Sequence, residues 1–259
     1  MTDQPVLPEC VSLTVEHGLA VVTLRRGQGH AGGKNPLSLE AMTGLRDVAL
    51  WLRGDVSTHC VILCGDPVFT VGADLTDGNL QIKGLPALEQ RRTLKVGPDM
   101  CAAWEALEQV TICAMEGFCI GGGLALAVAC DWRIASKDCD IRLPEVSLGM
   151  NMSWQTNPRL TSLIGPARTK QLVILGESLP AETALDWGLI DWVCGSGETI
   201  AEAMKIAQRV LSMPPLPVRM SKKAITAHAS QLNEAASLMD SDQFALLALG
   251  GVDSDGGKT

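Results

Sequence analysis

The sequence predicts an α/β fold, a core of short buried strands alternating with helices, followed by a helical C-terminal part. Three observations predict it. Charge-free apolar runs at 60–64, 110–115 and 132–135 have the length and composition of buried strands, the last broken only by Arg133. Between them, apolar residues recur at helical spacings of three and four, giving the strand, turn, helix and strand order of an α/β layout. From about residue 157 onward, helical periodicity dominates.

Each element has a local reason. Residues 11–24 read as a hairpin: alternation through Glu16, a turn at His17-Gly18, and a return from Leu19 to Leu24. The glycine-rich stretch 27–35 is a loop. Ser38 is placed to cap a helix whose apolar face is Met42, Leu45, Val48, Ala49 and Leu52. Residues 76–97 are polar, with glycines at 78 and 84, and read as a mobile loop and the start of a helix. Trp104 to Leu107 carry that helix towards the strand at 110–115. Gly121-Gly-Gly123 opens a helix of small residues. Pro180 starts a helix that Gly188 stops, and 189–193 is a short strand. Ile200, Met204, Ala207, Val210 and Leu211 share a helical face. Pro214-Pro-Leu-Pro217 breaks the helices before a last pair, which ends in an apolar helix around Phe244, Ala245, Leu246, Leu247, Ala248 and Leu249. No internal repeat or low-complexity tract is present. The organisation expected is an α/β core over 1–195 and a helical part over 196–259.

Bulk properties narrow the function classes. The 259 residues are 46% hydrophobic, enough for a sizeable core, yet charges interrupt every run before the roughly 18 to 20 apolar residues of a membrane helix. A net charge of −8 excludes the basic stripes that nucleic acid requires. Met1-Thr-Asp-Gln-Pro5 lacks the features of a signal or transit peptide, and the terminal Gly-Gly-Lys-Thr259 is not a peroxisomal address. Nine cysteines, with no CxxC spacing, read as buried thiols in a reducing compartment, so a cytoplasmic protein without a metal site or disulfide framework is expected. Tyrosine is absent, which removes the phenol as a general acid.

The chemistry concentrates in three stretches. Gly121-Gly-Gly123 puts bare backbone N–H groups at a helix N-terminus, where a developing anion is stabilised. It is not GxGxxG, so a dinucleotide pocket is not implied. Val68-Phe-Thr-Val-Gly-Ala-Asp-Leu75 also follows a buried strand and can present an N–H towards the same point. Leu143-Pro-Glu145 supplies one carboxylate behind a stiffening proline. A backbone anion hole plus a single acid/base is the minimal equipment for moving a proton beside a thioester carbonyl.

At this point the chain resembles the crotonase (enoyl-CoA hydratase/isomerase) superfamily over nearly its whole length. Five pieces carry the resemblance, in family order: Asn35-Pro-Leu-Ser-Leu-Glu40, Phe69-Thr-Val-Gly-Ala-Asp-Leu75, Gly117 through the Cys-Asp-Trp-Arg-Ile-Ala ending at Ala135, Leu143-Pro-Glu145, and Ala184-Leu-Asp-Trp-Gly-Leu-Ile-Asp191. The resemblance implies a crotonase-like spiral of ββα turns with a helical C-terminal trimerisation part. It implies an oxyanion hole from the backbone N–H groups of Ala73 and Gly122, flanked by Gly72, Asp74 and Gly121. Asp131 matches an aspartate that is structural in the family.

Hydratases of the superfamily use two glutamates. Here the position of the first is Ala125, and that of the second is Glu145. Hydration needs one group to activate water and another to deliver a proton, whereas one carboxylate suffices for a 1,3-proton shift. The pattern is closest to the Δ3,Δ2-enoyl-CoA isomerases, which implies conversion of 3-enoyl-CoA to 2-enoyl-CoA in lipid metabolism, with acyl-CoA as substrate and no cofactor. A carboxylate in an apolar acyl pocket is expected to have a raised pKa.

Where many hydratases carry a Pro-Gly-rich turn, this chain has Met150-Asn-Met-Ser-Trp-Gln-Thr156, a segment that lies beside the acyl group in the family. Asn151 and Trp154 are therefore expected at the substrate, with Met150 and Met152 as adaptable walls. The resemblance puts CoA phosphates against basic residues, for which Arg25, Arg26 and Lys34 near the first loop and Lys222 and Lys223 on a late helix are candidates. His17, His30, His59 and His228 match no catalytic position. Two alternatives stay open: another enolate chemistry, hydrolysis or decarboxylation of a CoA- or carrier-protein-bound acyl thioester, and a non-catalytic CoA-binding subunit of the same fold. A homotrimer or a dimer of trimers is implied as the assembly.

Overall fold

In the computed structural model of the chain, residues 4–26 and 33–250 are described. Parts of three readings fall outside them: residues 27–32 of the glycine-rich loop, with His30, and the two chain ends.

Strands β1 (Val11–Glu16) and β2 (Leu19–Leu24) form the expected hairpin. His17 and Gly18 turn it with φ of 48° and 83°, the paired positive values of a two-residue hairpin turn. Helix α1 (Leu39–Gly54) follows. The Ser38 side chain accepts from the Ala41 N–H at 3.1 Å, and Met42, Leu45, Val48, Ala49 and Leu52 are all buried, the face read from the sequence.

Strands β3 (Cys60–Gly65) and β4 (Val110–Met115) are buried at every position, as central parallel strands must be. The polar stretch between them forms a 3-10 turn at Gly78–Leu80, then α2 (Ala87–Leu94) and α3 (Val96–Glu105). After β4 come β5 (Phe118–Ile120), α4 (Gly122–Ala127), β6 (Trp132–Ser136) and β7 (Asp140–Arg142). Then follow α5 (Thr156–Leu175), α6 (Ala181–Trp187), β8 (Trp192–Cys194) and α7 (Thr199–Leu211). Helices α8 (Pro215–Ala229), α9 (Asn233–Ala236) and α10 (Asp240–Gly250) end the described chain.

The main sheet runs β1-β2-β3-β4-β6-β8, parallel except for the β1–β2 pair, and β5 and β7 pair parallel in a separate two-stranded sheet. Side-chain alternation divides the core. Val61 and Leu63 face α1, α3 and α4; Cys60 and Ile62 face Ala203, Ile206, Ala207 and Val210 of α7. Helices thus cover both faces of the sheet, the α/β layout of core strands flanked by helices that the sequence predicts.

Three readings differ in detail. Strands β5 and β7, three residues each, are too short to show an alternation in the sequence. Leu189 and Ile190 are not in β8, because their N–H groups donate to the Ala184 carbonyl beyond the left-handed Gly188 that ends α6. The 195/196 boundary falls between β8 and α7, yet α7 still covers one face of the sheet. The proline cluster both ends α7 and starts α8, with Pro215 at the first helical position, where its missing N–H costs nothing. Among the described residues no helix is long and apolar enough to cross a membrane.

Candidate active site

Two glycine-containing segments lie side by side at the ends of β3 and β5. The Thr70 N–H donates to the Phe118 carbonyl at 3.0 Å, and the Ile120 N–H returns to the Thr70 carbonyl at 3.2 Å. One step on, the Leu37 N–H donates to the Gly72 carbonyl and the Asp74 N–H to the Leu37 carbonyl, at 2.8 and 2.9 Å. In such a parallel bridge it is Ala73's neighbours that bond, so Ala73's own N–H points away from Leu37. Gly122 opens α4, whose first N–H groups have no helical acceptor. Among the described residues neither N–H has a backbone partner.

The two donors are close. A Cβ at Gly72 would stand 3.0 Å from the Gly122 nitrogen, and one at Gly122 would stand 3.4 Å from the Ala73 nitrogen. Gly72 itself has φ +86°, and a Cβ there would meet the Ile120 carbonyl oxygen at 2.5 Å. Glycine is thus required at position 72 by conformation and by space. Ala73 and Gly122 both line one cavity of about 370 Å³.

Glu145 lines the same cavity. Its backbone carbonyl accepts from the N–H groups of Leu148 and Met150 at 3.0 and 2.9 Å, which fixes the loop behind Pro144. The carboxylate reaches across to Gly121, where a Cβ would stand only 2.6 Å from Oε1. Among the described residues Oε2 is buried without a hydrogen-bond partner. Burial pushes the carboxyl up to about 7, against a small opposing effect of its own backbone N–H. A carboxyl so poised can both take and return a proton near neutral pH.

A second carboxylate at the cavity, Asp74, is different. Burial alone would raise it, but hydrogen bonds from Thr76 and Arg26, with the Arg26 charge, hold it below the usual carboxylate range. Its ion pair with Arg26 is tight and largely buried. Ala125, where a second glutamate would stand in a hydratase of the resembling family, is a fully buried methyl in the main core.

The remaining expected residues divide. Gly121, Asn151 and Trp154 line the cavity. Arg25 is exposed, 4.0 Å from Asp66 at the end of β2, and Lys34 is exposed with its ammonium 5.2 Å from the centre of the Phe118 ring. Both lie on the cavity's side of the sheet without lining it. Lys222 does not come to the cavity. Its ammonium is held at 2.5 Å by both Asp131 and the Gln109 carbonyl, at the opposite ends of the strands, because Asp131 there binds Thr111 and needs a counter-charge. Lys223 pairs with Glu108 nearby.

Four contributors escaped the sequence reading. Lys83 is, among the described residues, the one cation lining the cavity. Ser241 and Phe244 bring α10 to its wall. Gly97 makes room for Trp154: a Cβ there would lie 2.1 Å from the indole. None is marked by a local pattern, since each depends on a tertiary approach.

Comparison with known proteins agrees with this geometry. A family model described as enoyl-CoA hydratase/isomerase matches residues 14–248. A crotonyl-CoA hydratase of Syntrophomonas wolfei is 32% identical over 92% of this chain and 89% of its own length. A short-chain-enoyl-CoA hydratase of Clostridium acetobutylicum is 31% identical over 90% of this chain and 87% of its own. Among solved structures, an enoyl-CoA hydratase from Mycobacterium avium subsp. paratuberculosis superposes with a TM-score of 0.81 at 25% identity, covering 92% of this chain and 89% of that one. An enoyl-CoA hydratase/isomerase from Pseudoalteromonas atlantica gives 0.81 at 26%, over 92% and 91%. These two curated relatives carry hydratase names, so the specific closeness to Δ3,Δ2-isomerases read from the sequence has no counterpart in them.

Proposed function

The chain belongs to the enoyl-CoA hydratase/isomerase family, and within it we propose that this member is an acyl-CoA double-bond isomerase. One observation carries the reading: among the described residues Glu145 is the single carboxylate of the cavity with an unpartnered oxygen, beside two N–H groups without a backbone partner, and position 125 offers only a buried methyl. In this reading the Glu145 carboxylate removes a proton from C2 of a 3-enoyl-CoA. Electrons move onto the thioester oxygen, and the Ala73 and Gly122 N–H groups receive the resulting dienolate charge. The charge then returns through C2=C3 as C3=C4 opens, and the same carboxyl delivers its proton to C4. The product is 2-enoyl-CoA, and neither water nor a cofactor enters.

Glu145→Gln keeps the shape of the side chain and removes its basicity. Turnover of 3-enoyl-CoA is expected to fall by about two to four orders of magnitude with the fold and CoA binding retained. Unchanged isomerisation in this variant would remove the assignment. In this reading Lys83 at the cavity, with exposed Arg25 and Lys34 outside it, meets the CoA phosphates. A trimer or dimer of trimers fits the exposed apolar side chains of the last helices, among them Leu216, Met220, Leu246 and Leu247. Nine free thiols, eight of them buried, suit a cytoplasmic setting.

Hydration is a second reading, favoured by one further carboxyl. Burial pushes Asp240 up to about 6, its Oδ2 is buried without a partner among the described residues, and its carbonyl accepts from the Asn151 amide at the cavity wall. If Asp240 delivers the second proton, wild type hydrates 2-enoyl-CoA and Asp240→Asn does not.

A further inference from the structure

One large side chain in the cavity wall stands beside the oxyanion donors. Exposed Leu75, Lys83 and Leu148 line the mouth of the cavity, whereas Met42, Gly97 and Met152, all buried, line its depth. Between α3 and α4 stands the Trp154 indole. A Cβ at Gly97 would lie 2.1–2.5 Å from the Cε2, Cζ2 and Nε1 atoms, and a Cβ at Gly122 would lie 2.5 and 2.6 Å from Cζ3 and Cη2. Neither glycine has a positive φ. Their backbone would accept any residue, so it is the ring that excludes a side chain from both.

The ring is also held rigidly. Trp154 and Gln155 are consecutive left-handed residues, with φ of 60° and 57°, a strained conformation that needs support. The support is Arg159, buried and paired with both oxygens of Glu105 at 2.9 Å. Its guanidinium donates to the carbonyls of Trp154 at 2.8 Å and Gln155 at 3.4 Å.

We infer that Trp154 is the residue that sets acyl-chain length: the indole, wedged between Gly97 and Gly122, ends the cavity a short distance from the oxyanion donors and restricts the site to short-chain acyl thioesters. This rests on reading the cavity as an acyl-CoA site. A chain leaving a thioester carbonyl seated at Ala73 and Gly122 runs inward and meets the ring. Removing the ring opens the space between α3 and α4 to further methylenes.

Binding of saturated acyl-CoA thioesters, from butanoyl to decanoyl, tests this without any turnover. In the wild type, affinity is expected to stop rising after a few carbons. In Trp154→Ala it continues to rise, by about fourfold for each newly admitted methylene, whatever the change in butanoyl-CoA binding itself. Trp154→Phe is expected to lie between. Gly97→Ala, which drives the ring into the cavity, shifts the preference towards shorter chains. A ladder that is the same in wild type and in folded Trp154→Ala and Trp154→Phe overturns the inference alone. Failure of the wild type to bind any acyl-CoA overturns the acyl-CoA reading, and the inference with it.

Discussion

The cavity has two walls built by different means. One is backbone: residues 70–74 and 118–123 lie side by side through main-chain hydrogen bonds and offer N–H groups to the space between them. The other is side chain: Glu145, Asn151, Met152 and Trp154 project from a loop braced by Arg159. The backbone wall can stabilise an anion on any acyl thioester, because its donors do not depend on residue identity. In the proposed reading the side-chain wall decides which proton moves and how long a substrate fits. Reaction class and substrate choice are thus carried by separable parts of one site.

The largest effects fall on turnover, and disturbing the backbone wall should approach the loss expected of Glu145→Gln. Gly72→Ala adds a methyl 2.5 Å from the Ile120 carbonyl and 3.0 Å from the Gly122 nitrogen, on a backbone with φ +86°. Steady-state turnover is expected to fall by about two to three orders of magnitude for every acyl chain alike, the usual worth of an oxyanion donor. A loss confined to some chain lengths would mean that the two walls are not separable.

A smaller effect belongs to Glu145 and is read in stability. Its carboxyl lies at about 7 in the folded chain against an ordinary 4.5. Between those values the folded chain keeps a proton that the unfolded chain has released, so stability falls as pH rises through the window. The full deficit, on the order of 3 kcal/mol, stands above pH 7. Glu145→Gln should therefore melt higher than wild type at pH 8, with the advantage vanishing towards pH 4.5. Parallel melting curves of the two proteins at every pH would show that the carboxyl is not held in its buried, protonated form.

The two walls also differed in how far the sequence disclosed them. The backbone wall was readable because glycine leaves a signature: Gly72 and the run at 121–123 stand where a Cβ cannot, and both follow apolar strands. Glu145 was readable from its place behind Pro144. Ala125, the position at which the resemblance implies a second acid in hydratases, is a buried core residue. The α1 face and the β1–β2 turn followed from spacing alone, because one element buries one face.

What escaped the sequence depends on long-range approach. Gly97 resembles any helical glycine until the indole, 57 positions away in the chain, is laid against it. Lys222 reads as a free surface cation until Asp131 is seen to hold it at the far ends of the strands. Lys83, Ser241 and Phe244 reach the cavity only through the packing of the 76–85 segment and α10. Periodicity records which face of an element is buried, and it is silent on which distant side chain meets that face.

The most direct test of the central claim, that one carboxylate moves a proton without adding water, is the product formed from 3-enoyl-CoA in deuterium oxide. Mass spectrometry of the acyl group should show 2-enoyl-CoA with little solvent deuterium, because the Glu145 carboxyl returns to C4 the proton it took from C2. No 3-hydroxyacyl-CoA should form, and Glu145→Gln should leave the 3-enoyl-CoA almost unconverted. Accumulation of a 3-hydroxyacyl-CoA, one water heavier than the substrate, at a rate comparable to double-bond migration would contradict it.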